Sequence, residues 1–297
     1  MKRTFALLLL AFAAGCGGRS GGPVTVTVSQ DYGHERLAPT STATAQRDET
    51  VMKLTQRSFD VVAADDAIRE IDGVSSGRED GKPVSWFYYV NGIEASGPAA
   101  RRLYPGDRVW WDHHGSEPAV RVPAVVGAFP EPFASGSEGK KLPIRLVCMG
   151  DGRSCDEVET RLQAAGIKGL ARSNLEQSVG QVLRILVGPW HEVRKDIAAR
   201  TLERGPAASG VFAKPDPSGS RITLLDADGA PQQTLGPGSG LIAATSYPDQ
   251  QPTWLVTGTD DVGVAAAAAA MSEDQLHDHF ALAIEAGKGL PLPVETP

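Results

Sequence analysis

The sequence predicts an α+β chain in two parts: a small sheet carrying one helix, followed by an α/β segment. Three observations carry this reading. Val24-Thr25-Val26-Thr27-Val28 alternates β-branched side chains, one helical stretch follows it, and several short strands come next. Beyond a turn-rich break at 127–141, strands and helices alternate as in an α/β domain. A chain of 297 residues, 41% of them hydrophobic, suits two domains better than one.

The chain opens Met1-Lys2-Arg3 and runs apolar from Phe5 to Ala14, ahead of Gly15-Cys16. A short basic region, about ten apolar residues and small residues before a cleavage point are the parts of a secretory signal. A membrane-spanning helix needs about 20 apolar residues, so this run is too short for one. Ala13-Ala14-Gly15-Cys16 resembles the lipobox of bacterial lipoproteins, with Ala13 where Leu is usual. The resemblance implies a signal peptide over 1–16, a lipid on Cys16, and an extracytoplasmic protein anchored to the cell membrane. The Gly-rich residues 17–22 read as its tether. An ordinary secretory signal that contains a cysteine is the competing reading.

With Cys16 lipidated, Cys148 and Cys155 remain. They flank Met149-Gly150-Asp151-Gly152-Arg153-Ser154, and two cysteines this close in an oxidising compartment are expected to pair. A redox pair would ordinarily use a two-residue gap, and a metal site would need more ligands. The 29 Lys and Arg against 36 Asp and Glu give a net charge of −7, and losing Lys2 and Arg3 with the leader makes it −9. An acidic surface argues against nucleic acid as a partner and against electrostatic docking on anionic lipid. Membrane attachment then rests on the lipid.

After the strand at 24–28, residues 48–57 carry apolar positions at helical spacing behind Asp48, a candidate cap. Phe59-Asp60-Val61-Val62 and residues 68–71 are short strands. Trp86-Phe87-Tyr88-Tyr89-Val90 is a strand running into Asn91-Gly92, a strong hairpin-turn signal. Pro105-Gly106-Asp107 turns the chain into Arg108-Val109-Trp110-Trp111.

The aromatic strand ending in Asn91-Gly92, followed by Leu103-Tyr104-Pro105-Gly106-Asp107-Arg108-Val109-Trp110-Trp111, resembles the bacterial domain family related to the transcobalamin C-terminal domain. The resemblance covers 23–133 and implies a β-grasp-like fold. In transcobalamins the equivalent domain closes over a corrinoid beside a large helical barrel. No barrel sequence is evident here, so corrinoid binding would need a partner chain.

The linker is placed at 134–141 and the second domain at 142–288. Ile144-Arg145-Leu146-Val147-Cys148 is a strand; residues 155–165 form a helix that Gly166 ends. A strand at 182–187 stops at Gly188-Pro189, and 190–204 reads as one helix closed by Gly205-Pro206. Short strands are expected at 210–213, 221–225, 241–245 and 254–257, with an Ala-rich helix after Thr257-Gly258-Thr259-Asp260-Asp261. Ser272 and Gln275 resemble a capping box opening a last helix with Leu276, Phe280, Ala283 and Ile284 on its buried stripe. The Pro-rich residues 289–297 read as a loose tail. Residues 186–190 faintly resemble the SPOR peptidoglycan-binding repeat.

Asp112-His113-His114 is read as a polar strand end at the domain rim, since adjacent histidines on a strand face opposite ways. Two ligands on one face are too few for zinc. His277-Asp278-His279 is read as a solvated helix face, and Asp260 and Asp261 as helix caps rather than a phosphate site. No Gly-x-x-x-x-Gly-Lys loop, Gly-x-Ser-x-Gly elbow or His-Glu-x-x-His helix occurs. The aromatic residues around 86–111 pack on both faces of their sheet or leave a patch for a flat ligand, glycan or partner protein. On the second reading Trp86, Tyr88, Asn91, Trp110, Trp111 and His114 contact ligand. The sequence therefore points to a non-enzymatic, membrane-anchored binding or accessory module, with a cell-envelope structural or peptidoglycan-associated protein as the alternative.

Overall fold

A computed structural model describes residues 22–176 and 180–295. Cys16, the leader and the tether up to residue 21 lie outside the described residues. The chain is a mixed α and β structure built around two large sheets.

The first part contains β1 (Pro23–Gln30), β2 (Glu35–Thr44), α1 (Val51–Ser58), β3 (Val61–Ala64), β4 (Ala67–Ile71), β5 (Val74–Ser75), β6 (Gly77–Glu79), β7 (Lys82–Val90), β8 (Ile93–Ala95) and β9 (Arg108–Gly115). Its main sheet has the order β2-β1-β9-β7-β6, with β8 hairpinned onto β7 through Asn91-Gly92. β1 and β9 are parallel, with Val26 opposite Val109; the other pairs are antiparallel. α1 covers one face, where Val51 and Leu54 pack on Val26, Val28, Tyr88 and Trp111. Its cap is Thr50, whose hydroxyl accepts from Lys53 N, and not Asp48. Asp48 has φ 53, outside cap geometry, and pairs with Arg102.

The second part contains β10 (Ile144–Cys148), α2 (Gly152–Ala164), β11 (Leu170–Ser173), β12 (Leu183–Pro189), α3 (Trp190–Val193), α4 (Pro206–Ser209), β13 (Ala213–Pro215), β14 (Ile222–Leu225), β15 (Pro231–Leu235), β16 (Gly240–Thr245), β17 (Thr253–Gly258), α5 (Asp261–Ala270), α6 (Glu273–Leu276), β18 (Ala281–Glu285) and β19 (Lys288–Leu292). Seven strands follow the order β11-β10-β12-β17-β16-β18-β19, parallel from β11 to β17 and antiparallel beyond. One face, with Leu146, Ile185, Trp254 and Val256, is covered by α2 and α5. Asp260 caps α5 by accepting from Gly263 N. Cys148 and Cys155 lie at disulfide distance, with Cα atoms 5.8 Å apart, tying the end of β10 to the first turn of α2.

Three expected elements are corrected. The helix expected over 190–204 is broken: after α3 the Asp196 carboxylate accepts from Ala198 N and Ala199 N and starts a separate 3-10 turn at Ala199–Arg204. Buried Arg184 holds Asp196 in that place and also donates to Thr253 Oγ1. The helix expected from Ser272 stops at Leu276; Ala281–Glu285 is instead a strand between β16 and β19. Residues 289–292, expected to be part of a loose tail, belong to β19, with Leu292 buried. Its one proline, Pro291, fits because β19 is an edge strand, where the missing N–H need not pair.

Ahead of the expected linker at 134–141, residues 127–133 are largely buried. Phe129 and Phe133 pack on Trp254 at centroid distances of 6.0 and 5.0 Å, under the second sheet. The two sheets also share a core. Tyr32, Tyr89 and Trp110 from the first meet Phe212, Phe280 and Leu255 of the second in one cluster.

Candidate functional site

The Asp112-His113-His114 run lies inside the molecule and not at a rim: all three side chains are at most 2% exposed. β9 is a central strand, and both its faces are covered: Trp111 packs with α1 residues on one, and Trp110 packs with the second part on the other. The β1–β2 turn passes Asp31, Tyr32 and Gly33 at φ 53, 59 and 85. Successive left-handed residues aim their N–H groups into one concavity that favours an anion. Asp112 fills it: Tyr32 N donates to Oδ1 at 3.0 Å and Gly33 N to Oδ2 at 2.8 Å. The Ser29 hydroxyl also donates to Asp112, and accepts from Trp110 Nε1 at 2.7 Å.

His114 Nδ1 lies 2.7 Å from Asp112 Oδ1, and its ring is sandwiched between Tyr32 and Phe87, each at 4.3 Å. Phe280 closes the edge at 5.5 Å. The order of contacts does not activate a nucleophile, because Ser29 and His114 each touch Asp112 rather than each other. His113, on the opposite face, packs beside Trp86, and its Nε2 is buried without a hydrogen-bond partner. Among the described residues no three His, Cys, Asp or Glu side chains are arranged to hold a metal ion.

The other sequence-chosen residues are likewise internal. Trp86, Tyr88 and Trp111 face α1, and Trp111 Nε1 donates to Thr55 Oγ1 at 2.9 Å. Trp86 Nε1 donates to Val74 O. Trp110 faces the second sheet. Asn91 is a turn residue at φ 56 whose amide donates to Asp107 Oδ1 and Gly136 O and accepts from Arg108 N. Burial raises the Asp107 carboxyl, against lowering by Tyr104 N, Asn91 and Arg101. These six residues are largely interior, and Trp110 also lines a smaller concavity of about 310 Å³ with Thr27, Arg108 and His277.

His277-Asp278-His279 occupies a turn after α6 and not a helix face. It meets the β1–β2 turn: Arg36 pairs with Asp278 and reaches His277 Nε2 at 3.1 Å, while His34 Nε2 lies 2.7 Å from Pro293 O. Burial, and then His34, hold His279 below its usual range.

The main concavity lies elsewhere. A cleft of about 720 Å³ opens between the two parts, with Glu94 and Arg101 from the first, Glu138 and Lys140 from the connecting stretch, and Ala207 and Gln251 from the second. Such volumes suit small ligands, and such sites favour domain junctions. Arg101 is the most enclosed cation there, its side chain 18% exposed, with Nη1 donating to Glu138 Oε1 at 2.7 Å. Its Nε is buried without a partner. Arg121 pairs with Glu94 at 2.8 Å, and Gln251 donates to Gln181 at 2.8 Å. Sequence reasoning missed this site because its residues are scattered from 93 to 252 with no common motif. The one signal was the turn-rich stretch at 127–141, since loops carry binding residues more often than cores do.

No family model matches the chain, and no curated protein matches it. Among solved structures, a "putative metal binding protein" from Ruminococcus gnavus is 15% identical, covering 32% of this chain and 97% of that one with a TM-score of 0.25. A likeness at that score carries no argument about fold or function.

Proposed function

We propose that this chain is an extracytoplasmic lipoprotein that acts as a non-enzymatic binding module, with the cleft between its two parts as the binding site. The observation that carries the reading is the cleft itself: three separate stretches converge on it, and it holds an enclosed, under-bonded arginine. Anchoring rests on the leader and Cys16 in the sequence. The first sheet, with a parallel β1–β9 pair at its middle and α1 on one face, supports a β-grasp reading and with it the transcobalamin-like resemblance. Among the described residues no aromatic side chain lines the cleft, so a flat corrinoid finds no stacking surface on them.

Two measurements test this. Labelled palmitate is expected in the membrane-fraction protein and to be lost in Cys16→Ser; a soluble, unlabelled wild type contradicts anchoring. Thermal-shift screening against envelope peptides and sugars is expected to give ligands whose effect disappears in Ala207→Trp, which fills the cleft. Ligands that stabilise both proteins equally contradict the assigned site.

A further inference from the structure

Resting on that reading of the cleft, we infer that Arg101 recognises a carboxylate on the ligand, and that Glu138 holds its place until the ligand arrives. A guanidinium carries five N–H donors in a fixed fork that matches a carboxylate with two parallel bonds. The Arg101 side chain, only 18% exposed, makes one hydrogen bond, from Nη1 to Glu138 Oε1, and its Nε is buried without a partner. A buried N–H on a cation is costly unless an acceptor is brought to it.

Glu138 is built to leave. It sits at φ 54 on a tight turn closed by the Ser137–Lys140 bridge, and its side chain is 65% exposed. Swinging that side chain into water disturbs no core contact. The turn backbone stays put, because Gly139 lies against the Tyr104 ring, where an added Cβ would approach to 2.5 Å.

Three cations and three carboxylates line the cleft. Arg121 is already matched by Glu94, while Lys140 has no ion-pair partner among the described residues. Lys140 therefore adds an unmatched positive charge to the same cleft. Asp249 is the carboxylate that makes no ion pair with a cation of the cleft, so the probes below carry no amine for it to meet. With Gln181, Gln251 and Ser246 supplying amide and hydroxyl groups and no aromatic platform, the fitting ligand is a small polar acid. The free-acid end of a short peptide and a sugar acid share that chemistry.

Isothermal titration of the mature protein separates them. The probes are N-acetyl-trialanine as free acid and as amide, and N-acetylmuramic acid beside N-acetylglucosamine. The acid member of at least one pair is expected to bind about tenfold tighter than its neutral partner, the scale of a charge-assisted pair. Arg101→Met is expected to close that gap, and Glu138→Gln to tighten the acid by removing its competitor. Glu138→Gln keeps the test independent of any folding defect in Arg101→Met. Acid and neutral probes that bind equally, with binding lost in Ala207→Trp, overturn the carboxylate inference and leave the cleft in place. No binding by any probe overturns both.

Discussion

Asp112 Oδ1 lies 2.7 Å from His114 Nδ1 with both side chains closed to solvent, and the same carboxylate accepts the Tyr32 and Gly33 N–H groups. The pair is a structural clasp: it fixes the β1–β2 turn, and the turn places the Tyr32 ring against Phe212 and Phe280 of the second part. Asp112→Ala leaves two backbone donors, a hydroxyl and an imidazole unsatisfied. A loss of about 3 kcal/mol or more is expected, since each orphaned buried group costs about 1–3 kcal/mol. Urea unfolding measures it, and a change below about 1 kcal/mol contradicts the clasp.

Phe280 touches Tyr32, Tyr89, Trp110 and His114, so it joins the sheets. Phe280→Ala is expected to cost about 3–5 kcal/mol, the range for a buried phenylalanine. Because the core is shared, calorimetry of the wild type is expected to show one transition, and a fragment ending at 141 to expose Tyr89 and Trp110. Two separable transitions would contradict a common core.

A disulfide between Cys148 and Cys155, which lie at bonding distance, closes a short loop and is worth about 2–3 kcal/mol by chain entropy. Cys148→Ser with Cys155→Ser is expected to lower the unfolding free energy in urea by that amount without altering the cleft, which these residues do not line. A double serine variant as stable as the wild type would contradict it.

His279 is held below the usual imidazole range, chiefly by burial. The unfolded chain therefore takes up a proton that the folded chain resists, and stability falls as pH drops below about 6.5 toward the folded value. His34, His277 and Arg36 crowd the same junction with Asp278 and Glu295, so the protonated form meets several cations. Asp107 and Glu131, both raised chiefly by burial, act with the opposite sign, losing stability as pH rises above the ordinary carboxylate range. His279→Gln is expected to flatten the stability slope between pH 6.5 and 5; an unchanged slope contradicts the assignment.

The sequence made much of the strand framework legible because β1, β7, β12 and β17 carry strong β-branched or aromatic runs. It misread β18, because Ala281-Leu282-Ala283-Ile284 is buried on both faces. A continuous apolar run of that kind has no period that separates a buried strand from a buried helix. Pairing with β16 and β19 decides it. Asp196 broke the 190–204 helix through Arg184, twelve residues away, a partner no local pattern reveals. The aromatic residues at 86–111 were correctly assigned to alternating faces. What covers the outer face, the second sheet, is a long-range contact, so the choice between core and ligand patch could not be made locally. The cleft was illegible for the same reason.

The most direct test of the binding role is amide chemical-shift mapping of isotope-labelled mature protein during titration with N-acetyl-trialanine and N-acetylmuramic acid. The expected result is saturable shifts at Arg101, Glu138, Lys140, Ala207 and Gln251, converging on one face. Shifts absent from those residues, or centred instead on the groove between α2 and α5 at Arg153 and Val262, would contradict it.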